Sequence, residues 1–435
     1  MERLLNEKLV EWKMSKTRKP LILKGVRQVG KTYLLKEFGN KYYEDVAYFN
    51  FEGNEALQSR FEQDLDPKRI IEELGVINKR VIKPGRTLII FDEIQFCSKA
   101  LTSLKYFYEN LPEYHVACAG SLLGIALSKP LSFPVGKVDM MTLYPLNFEE
   151  FLLANDESML VEALKKLKSE EKISALYEEK LMSYLNNYYI TGGMPEVLNS
   201  WINNKDVEEV SVIQQKILDA YELDFAKHAP VNDYPKLSMI WKSIPEQLAR
   251  ENSKFVYGHV KSGARAKDLE DALEWLISAG MVYKITKIEK PYMPLSAYAD
   301  SRSFKLYIHD VGLLRKKANL DAAIIYDDKK DIYKEFKGAL AENFVLTELI
   351  AKTNETAHYW TSGNKAEVDF VKQFKSKIIP IEVKAGKNVT ARSLRVYRDK
   401  YEPEISFKVS RLNIQKQDGT LNIPLYMVWN IEKYV

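Results

Sequence analysis

Three observations predict an α/β protein of several domains. The run Gly25-Val26-Arg27-Gln28-Val29-Gly30-Lys31-Thr32 follows a short apolar segment at 20–24 and precedes a helix-like start at 33–38. A second apolar segment, 88–91, ends directly in Asp92-Glu93. Near the other end, an amphipathic helix pattern at 338–349 is followed by two strand-like segments, 367–371 and 380–385, with polar residues at alternate positions. These predict a parallel sheet built around a phosphate-binding loop over 1–150 and helices over 151–230. A winged-helix-like middle follows over 231–300, then a second α/β domain over 301–435.

The first element is the loop. It fits the pattern G-x-x-x-x-G-K-[ST] in its strand–loop–helix setting. Gly25 and Gly30 let the backbone curl around phosphate oxygens. The N–H groups of the loop and of the following helix then point at the anion. Gly25, Arg27, Gln28, Val29, Gly30, Lys31, Thr32 and Tyr33 form the expected ATP-binding stretch. Lys31 is placed to reach the β- and γ-phosphates, and Thr32 to hold Mg2+.

The second element supplies the rest of that site. Central strands of open α/β sheets end where ligands bind. Asp92 is placed to coordinate Mg2+, and Glu93 to polarise the attacking water. The next apolar segment, 114–119, ends in Gly120-Ser121. Ser121 either touches the γ-phosphate or the attacking water, or caps the helix beginning Leu122-Leu123. After Ser132-Phe133-Pro134-Val135-Gly136-Lys137 and a further apolar stretch, Asn147-Phe148-Glu149-Glu150 reads as a helix cap and first turn.

Bulk properties bound the class. The chain has 435 residues, room for about two to four domains. Its hydrophobic fraction of 46% is that of an ordinary globular protein. A formal net charge of +4 permits a nucleic-acid partner without arguing for one. Cys97 and Cys118 form neither a disulfide framework nor a zinc spacing, so a reducing cytoplasm is expected. No segment reaches 18 apolar residues and the N-terminus lacks a signal-peptide core, so no membrane partner is expected.

The order of GVRQVGKT, FDEIQ, a strand ending in GS, and LYPLNFEEFL resembles AAA-type ATPases of bacteria and archaea that carry an uncharacterised C-terminal domain, the AAA_14/DUF4143 architecture. The resemblance implies a P-loop NTPase core, a helical lid, ATP and Mg2+ as cofactors, and ATP hydrolysis. Arg27 matches that family. Relatives usually carry an arginine where this chain has Lys137, a point charge without the planar guanidinium fork.

In the middle, Gly192-Gly193-Met194-Pro195-Glu196 marks a tight turn, also similar to the family, with Gly192, Gly193 and Pro195 read as structural. Helical patterns then lead through 267–276 to Ala279-Gly280 and a strand at 281–285, the helix–glycine–strand order of a winged helix. Acidic residues on that last helix argue against a DNA-reading role. Lys254, Lys261, Arg265 and Lys267 leave a backbone contact open beside simple interdomain packing.

In the last domain, His309 reads as a turn or packing histidine rather than a ligand, since it has no ligand-spaced partner. Glu382 and Lys384, two residues apart, face the same side of a strand. A hairpin turning at 372–379 would bring Asp369 to them. Carboxylates brought together repel unless a cation joins them, and a hard ion fits oxygen ligands. The set Glu342, Asp369, Glu382 and Lys384 resembles the PD-(D/E)xK restriction-endonuclease-like superfamily. That resemblance implies a nuclease-like α/β fold, catalytic roles for these residues, and metal on Asp369 and Glu382. Residues 360–365, including Asn364 and Lys365, and the basic run Lys384, Lys387, Arg392, Arg395 and Arg398 could contact nucleic acid, or be a solvated face. The expected function is an ATP-binding switch, an ATPase whose nucleotide state regulates a nuclease-like, DNA-binding C-terminal domain. The alternative is a non-nuclease signalling protein in which ATP gates a protein partner, and a ring-forming motor would need an arginine supplied in trans.

Overall fold

The computed structural model describes residues 1–121, 134, 136–168, 170–250, 253–326, 334–363, 366–386 and 392–435. Leu122, Leu123, Ser132, Phe133, Val135, Asn364, Lys365 and Lys387 lie outside the described residues. Contacts group the chain into two units, Met1–Tyr144 with Ser278–Gly280, and Pro145–Ile277 with Met281–Val435.

The first unit is built on a sheet of β1 (Leu21–Lys24), β2 (Asp45–Asn50), β3 (Thr87–Asp92), β4 (His115–Ala119) and β5 (Asp139–Thr142), in the order β2-β3-β4-β1-β5. Every pairing in it is parallel. β3 and β4 are buried along their whole length. That is why both read as continuous apolar runs rather than alternating ones. The helices are α1 (Leu5–Met14), α2 (Lys31–Tyr42), α3 (Glu55–Glu62), α4 (Pro67–Asn78) and α5 (Ser98–Asn110). Phe51, Phe61 and Phe107 meet Phe91 edge-on and make the aromatic centre of the core. Because the strands run in one direction, β1, β3 and β4 all end at the same sheet edge. The phosphate-loop motif, Asp92-Glu93 and Ser121 therefore line one rim. This is the α/β sheet expected of a P-loop NTPase.

The second unit begins with α6 (Phe148–Ala154), whose Asn147 and Glu150 form a reciprocal capping box. Then come α7 (Ser158–Lys166), α8 (Ala175–Thr191), α9 (Pro195–Asn204), α10 (Val207–His228), α11 (Tyr234–Leu248), α12 (Tyr257–Val260) and α13 (Ala266–Ser278). The glycines after α8 allow three backbone segments to touch. A Cβ on Gly193 would stand 2.0 Å from Leu146 O, and one on Gly312 would stand 2.5 Å from Gly192 N.

An eight-stranded mixed sheet follows, in the order β12-β13-β11-β10-β9-β8-β6-β7. Its strands are β6 (Val282–Ile288), β7 (Ala299–Ile308), β8 (His358–Thr361), β9 (Glu367–Phe374), β10 (Lys377–Val383), β11 (Ser406–Ser410), β12 (Gln415–Gln417) and β13 (Thr420–Pro424). The strand pair after α13 is not an isolated ribbon, since β6 also pairs with β8. The helices here are α14 (Val311–Lys317), α15 (Ala322–Tyr326), α16 (Lys334–Thr353) and α17 (Arg392–Tyr401). α16 packs against β7 and β10, which sets Glu342 above the sheet. Trp275 and Leu276 are buried. His309 is buried between Tyr221 and the Met281 carbonyl, a packing position. Among the described residues no helix is long and apolar enough to cross a membrane.

Candidate functional site

The phosphate loop takes backbone angles that its sequence permits. Gly25 has φ 154°, Gln28 φ 63° and Gly30 φ 94°. At Gly25 a Cβ would also stand 2.3 Å from Leu143 O, so no larger residue fits. Lys31 opens α2 and is nearly buried. Its Nζ donates to Gly25 O at 2.8 Å and Val26 O at 2.9 Å, so the ammonium is folded back along the loop. Burial brings its pKa down to about 8, against the opposing pull of Glu93 and Asp92. A polyphosphate in the loop would relieve that desolvation, because an anion favours the charged form.

Thr32 Oγ1 donates to Asp92 Oδ2 at 2.8 Å, which joins the loop to the end of β3. Tyr48 on β2 donates to the same oxygen at 2.8 Å. Glu93 follows in a left-handed conformation, φ 49°, and so projects beyond the strand end. Its Oε2 accepts from Ser121 Oγ at 3.2 Å, from Ser121 N at 3.3 Å, and from Gln95 Nε2 at 2.5 Å. The structure thus gathers Lys31, Thr32, Asp92, Glu93 and Ser121 on one rim. Tyr33 is 60% exposed on the outer side of α2, and Arg27, on the loop, is half-buried.

Sequence reasoning missed Tyr48, Gln95 and Arg3. The Arg3 guanidinium is buried and donates to Val29 O at 3.3 Å and Tyr144 O at 2.5 Å, bracing the loop from behind. An arginine in a charged N-terminal segment gives no local sign of this. Lys137 is the opposite case. β5 pairs with β1 with Asp139 beside Leu21, so Lys137 lies before the start of the strand, roughly 20 Å from the loop at about 3.3 Å per residue. Its Nζ pairs with Glu109 Oε1 at 3.0 Å. It is therefore not at the γ-phosphate of its own chain, and the arginine-to-lysine difference does not touch that site directly.

In the second unit, β9 and β10 form the hairpin, tighter than read from sequence, with strands running to Phe374 and from Lys377. Continuing the register sets Asp369 beside Glu382. Asp369 Oδ2 accepts from Val383 N at 2.7 Å. Lys384 Nζ is 2.6 Å from Glu382 Oε1. Glu382 Oε2 is buried with no hydrogen-bond partner among the described residues. From above, Glu342 Oε2 accepts from Tyr307 OH at 2.8 Å. Burial, with Glu342 and Glu382 close by, pushes the Asp369 carboxyl well up. Burial also raises Glu382, with Lys384 opposing. Burial would lower Lys384, but Asp369 and Glu382 outweigh it and hold the lysine up.

The structure therefore brings Glu342, Asp369, Glu382 and Lys384 together. It adds Glu367, Lys305 and Tyr307, which sequence reasoning passed over. A lysine inside the apolar strand 304–308 was the available signal. Among the described residues, no three His, Cys, Asp or Glu side chains are placed to hold a metal ion. As arranged, lysines, Tyr307 and backbone engage oxygens of this set while Glu382 Oε2 is left open, so Mg2+ on Asp369 and Glu382 would have to displace those partners.

Residues 17–152 match the AAA domain family (AAA_14), residues 337–428 a domain of unknown function (DUF4143), and residues 182–323 another (DUF8612). The chain is thus similar to AAA domains over 17–152 and to DUF4143 domains over 337–428. The AAA-type match holds the loop, Asp92, Glu93 and Ser121, and the DUF4143 match holds Glu342, Asp369, Glu382 and Lys384. A relative is the Uncharacterized protein MJ1544 of Methanocaldococcus jannaschii, 22% identical over 80% of this chain and 71% of its own. Among solved structures, the Walker-type ATPase PABY2304 of Pyrococcus abyssi is similar at 14% identity and TM-score 0.46, covering 73% of this chain and 95% of its own. The Aeropyrum pernix ORC1 protein in complex with DNA is similar at 12% identity and TM-score 0.28, covering 74% and 91%. At these scores the structural likenesses carry no functional inference.

Proposed function

We propose that this chain is an ATP-dependent switch, an AAA-type ATPase whose nucleotide state regulates a nuclease-like, nucleic-acid-binding C-terminal domain. The observation that carries the ATPase half is the Thr32–Asp92 hydrogen bond at 2.8 Å, with Glu93 held beside it by Ser121 and Gln95. A hydroxyl and a carboxylate at that spacing fit Mg2+, which would neutralise charge developing on the β- and γ-phosphates. Lys31 turns from the loop carbonyls to the phosphates. Glu93 accepts the proton of the attacking water, and Ser121 and Gln95 orient its carboxylate. ATP binding and phosphate release by wild type and Glu93→Gln test this. The variant is expected to bind ATP and turn it over at least about 100-fold more slowly. A wild type that binds no ATP with Mg2+ present would sink the reading.

The chain passes between the two units at Tyr144–Pro145 and around Ser278–Gly280, which gives the nucleotide state covalent routes to the second unit. In this reading 151–230 is the lid and 231–300 the winged-helix-like module, and the protein acts in the cytoplasm. The nuclease-like half is supported by the convergence of Glu342, Asp369, Glu382 and Lys384. Nicking of DNA or RNA with Mn2+ and ATP, lost in Asp369→Ala and Glu382→Ala, is the expected result. No cleavage of single- or double-stranded substrates would leave the protein-interaction switch. That second reading is favoured by the engagement of Glu382 with Lys384.

A further inference from the structure

Lys305 lies on β7 and is 1% exposed. Its Nζ is 2.5 Å from Glu367 Oε1 and 3.9 Å from Glu342 Oε2. Tyr307, two residues on and on the same strand face, donates to the same Glu342 oxygen. An ammonium buried this far requires carboxylate partners, because its desolvation is otherwise prohibitive. Lys384 holds Glu382 Oε1, and Glu382 Oε2 has no hydrogen-bond partner among the described residues. Lys305 thus stands where a bound cation would neutralise Glu342 and Glu367, and Glu382 of the same cluster keeps an unused acceptor oxygen.

We propose that Lys305 is the resident counter-cation of this carboxylate cluster and competes with a divalent cation for it. This rests on the nuclease-like reading of the same site. Two cations on shared carboxylates a few ångströms apart repel strongly in a buried setting. With the lysine seated, the site binds metal weakly. With the lysine charge removed, the same carboxylates and the unused Glu382 oxygen form an oxygen-rich site suited to a hard divalent ion.

The test is Mn2+ binding to the full chain, read by electron paramagnetic resonance without nucleotide. A Thr32→Ala, Asp92→Asn background removes both metal ligands of the ATP site. Lys305→Met and Lys305→Gln are expected to bind Mn2+ at least about ten-fold more tightly than this parent. Lys305→Arg, which keeps the charge, is expected to stay at the parent level. Adding Asp369→Ala to Lys305→Met is expected to abolish the gain. Folded Lys305 variants that bind no more tightly, or a gain that survives Asp369→Ala, would overturn the proposal. Two chemically different neutral substitutions keep it decidable if one fails to fold. The titration needs no nucleic acid, so failure of the Lys305 role and failure of the nuclease reading show up in separate assays.

Discussion

Thr32 Oγ1 and Asp92 Oδ2 lie 2.8 Å apart, although sixty residues separate them in the chain. The contact ties the first turn of α2 to the end of β3 and makes one site of two motifs. Thr32→Ala and Asp92→Asn should each weaken Mg-dependent ATP binding by at least about ten-fold, while leaving any metal-free binding near wild type. Calorimetric titration with ATP, with and without Mg2+, reads this directly. Equal losses in both conditions would mean the pair supports the loop rather than a metal.

Ser121 places two donors on one oxygen of Glu93. Ser121→Ala removes the hydroxyl and keeps the backbone N–H. Turnover should fall by about ten-fold with ATP affinity unchanged, since the hydroxyl orients the base rather than the substrate. Steady-state phosphate release separates the two effects.

Gly193 and Gly312 sit where backbones touch. A methyl group at Gly193 meets the Leu146 peptide, and one at Gly312 meets the 191–192 peptide, so neither neighbour can yield by rotating a side chain. Each change to Ala should cost about 2–3 kcal/mol of stability, visible as a lower thermal midpoint. Gly258→Ala, with nothing within 4 Å of the added carbon, should be close to neutral.

His309 provides a pH signature. Burial brings its pKa down from 6.5 to about 4. Between those values the folded chain holds fewer protons than the unfolded one, so stability falls as pH drops through that window. The full effect is about 3 kcal/mol. Asp310, pushed up to about 6 by burial, acts in the opposite sense over much of the same range. His309→Gln should therefore flatten or invert the acid limb of the stability profile, as measured by denaturant midpoints between pH 4 and 7. An unchanged limb would exclude His309 as its source.

The parts legible from residue order are those written within a few positions. The phosphate loop needs its glycines where φ turns positive. Asp92-Glu93 ends a buried strand, and Asn147 with Glu150 caps a helix. Each is a local solution to a local backbone problem. The two residues of a hairpin face at Glu382 and Lys384 follow from the period of a strand in the same way. Assembly of the sites depends on which strands become neighbours. Tyr48 reaches Asp92 because β2 lies beside β3. Lys137 is carried away from the phosphates because β5 runs parallel to β1 and starts at the far edge. Lys305 and Tyr307 meet Glu342 and Glu367 because β7 and β9 share a sheet under α16. Strand order rests on contacts between distant segments, and no window of the chain contains both partners, so only the folded structure places them.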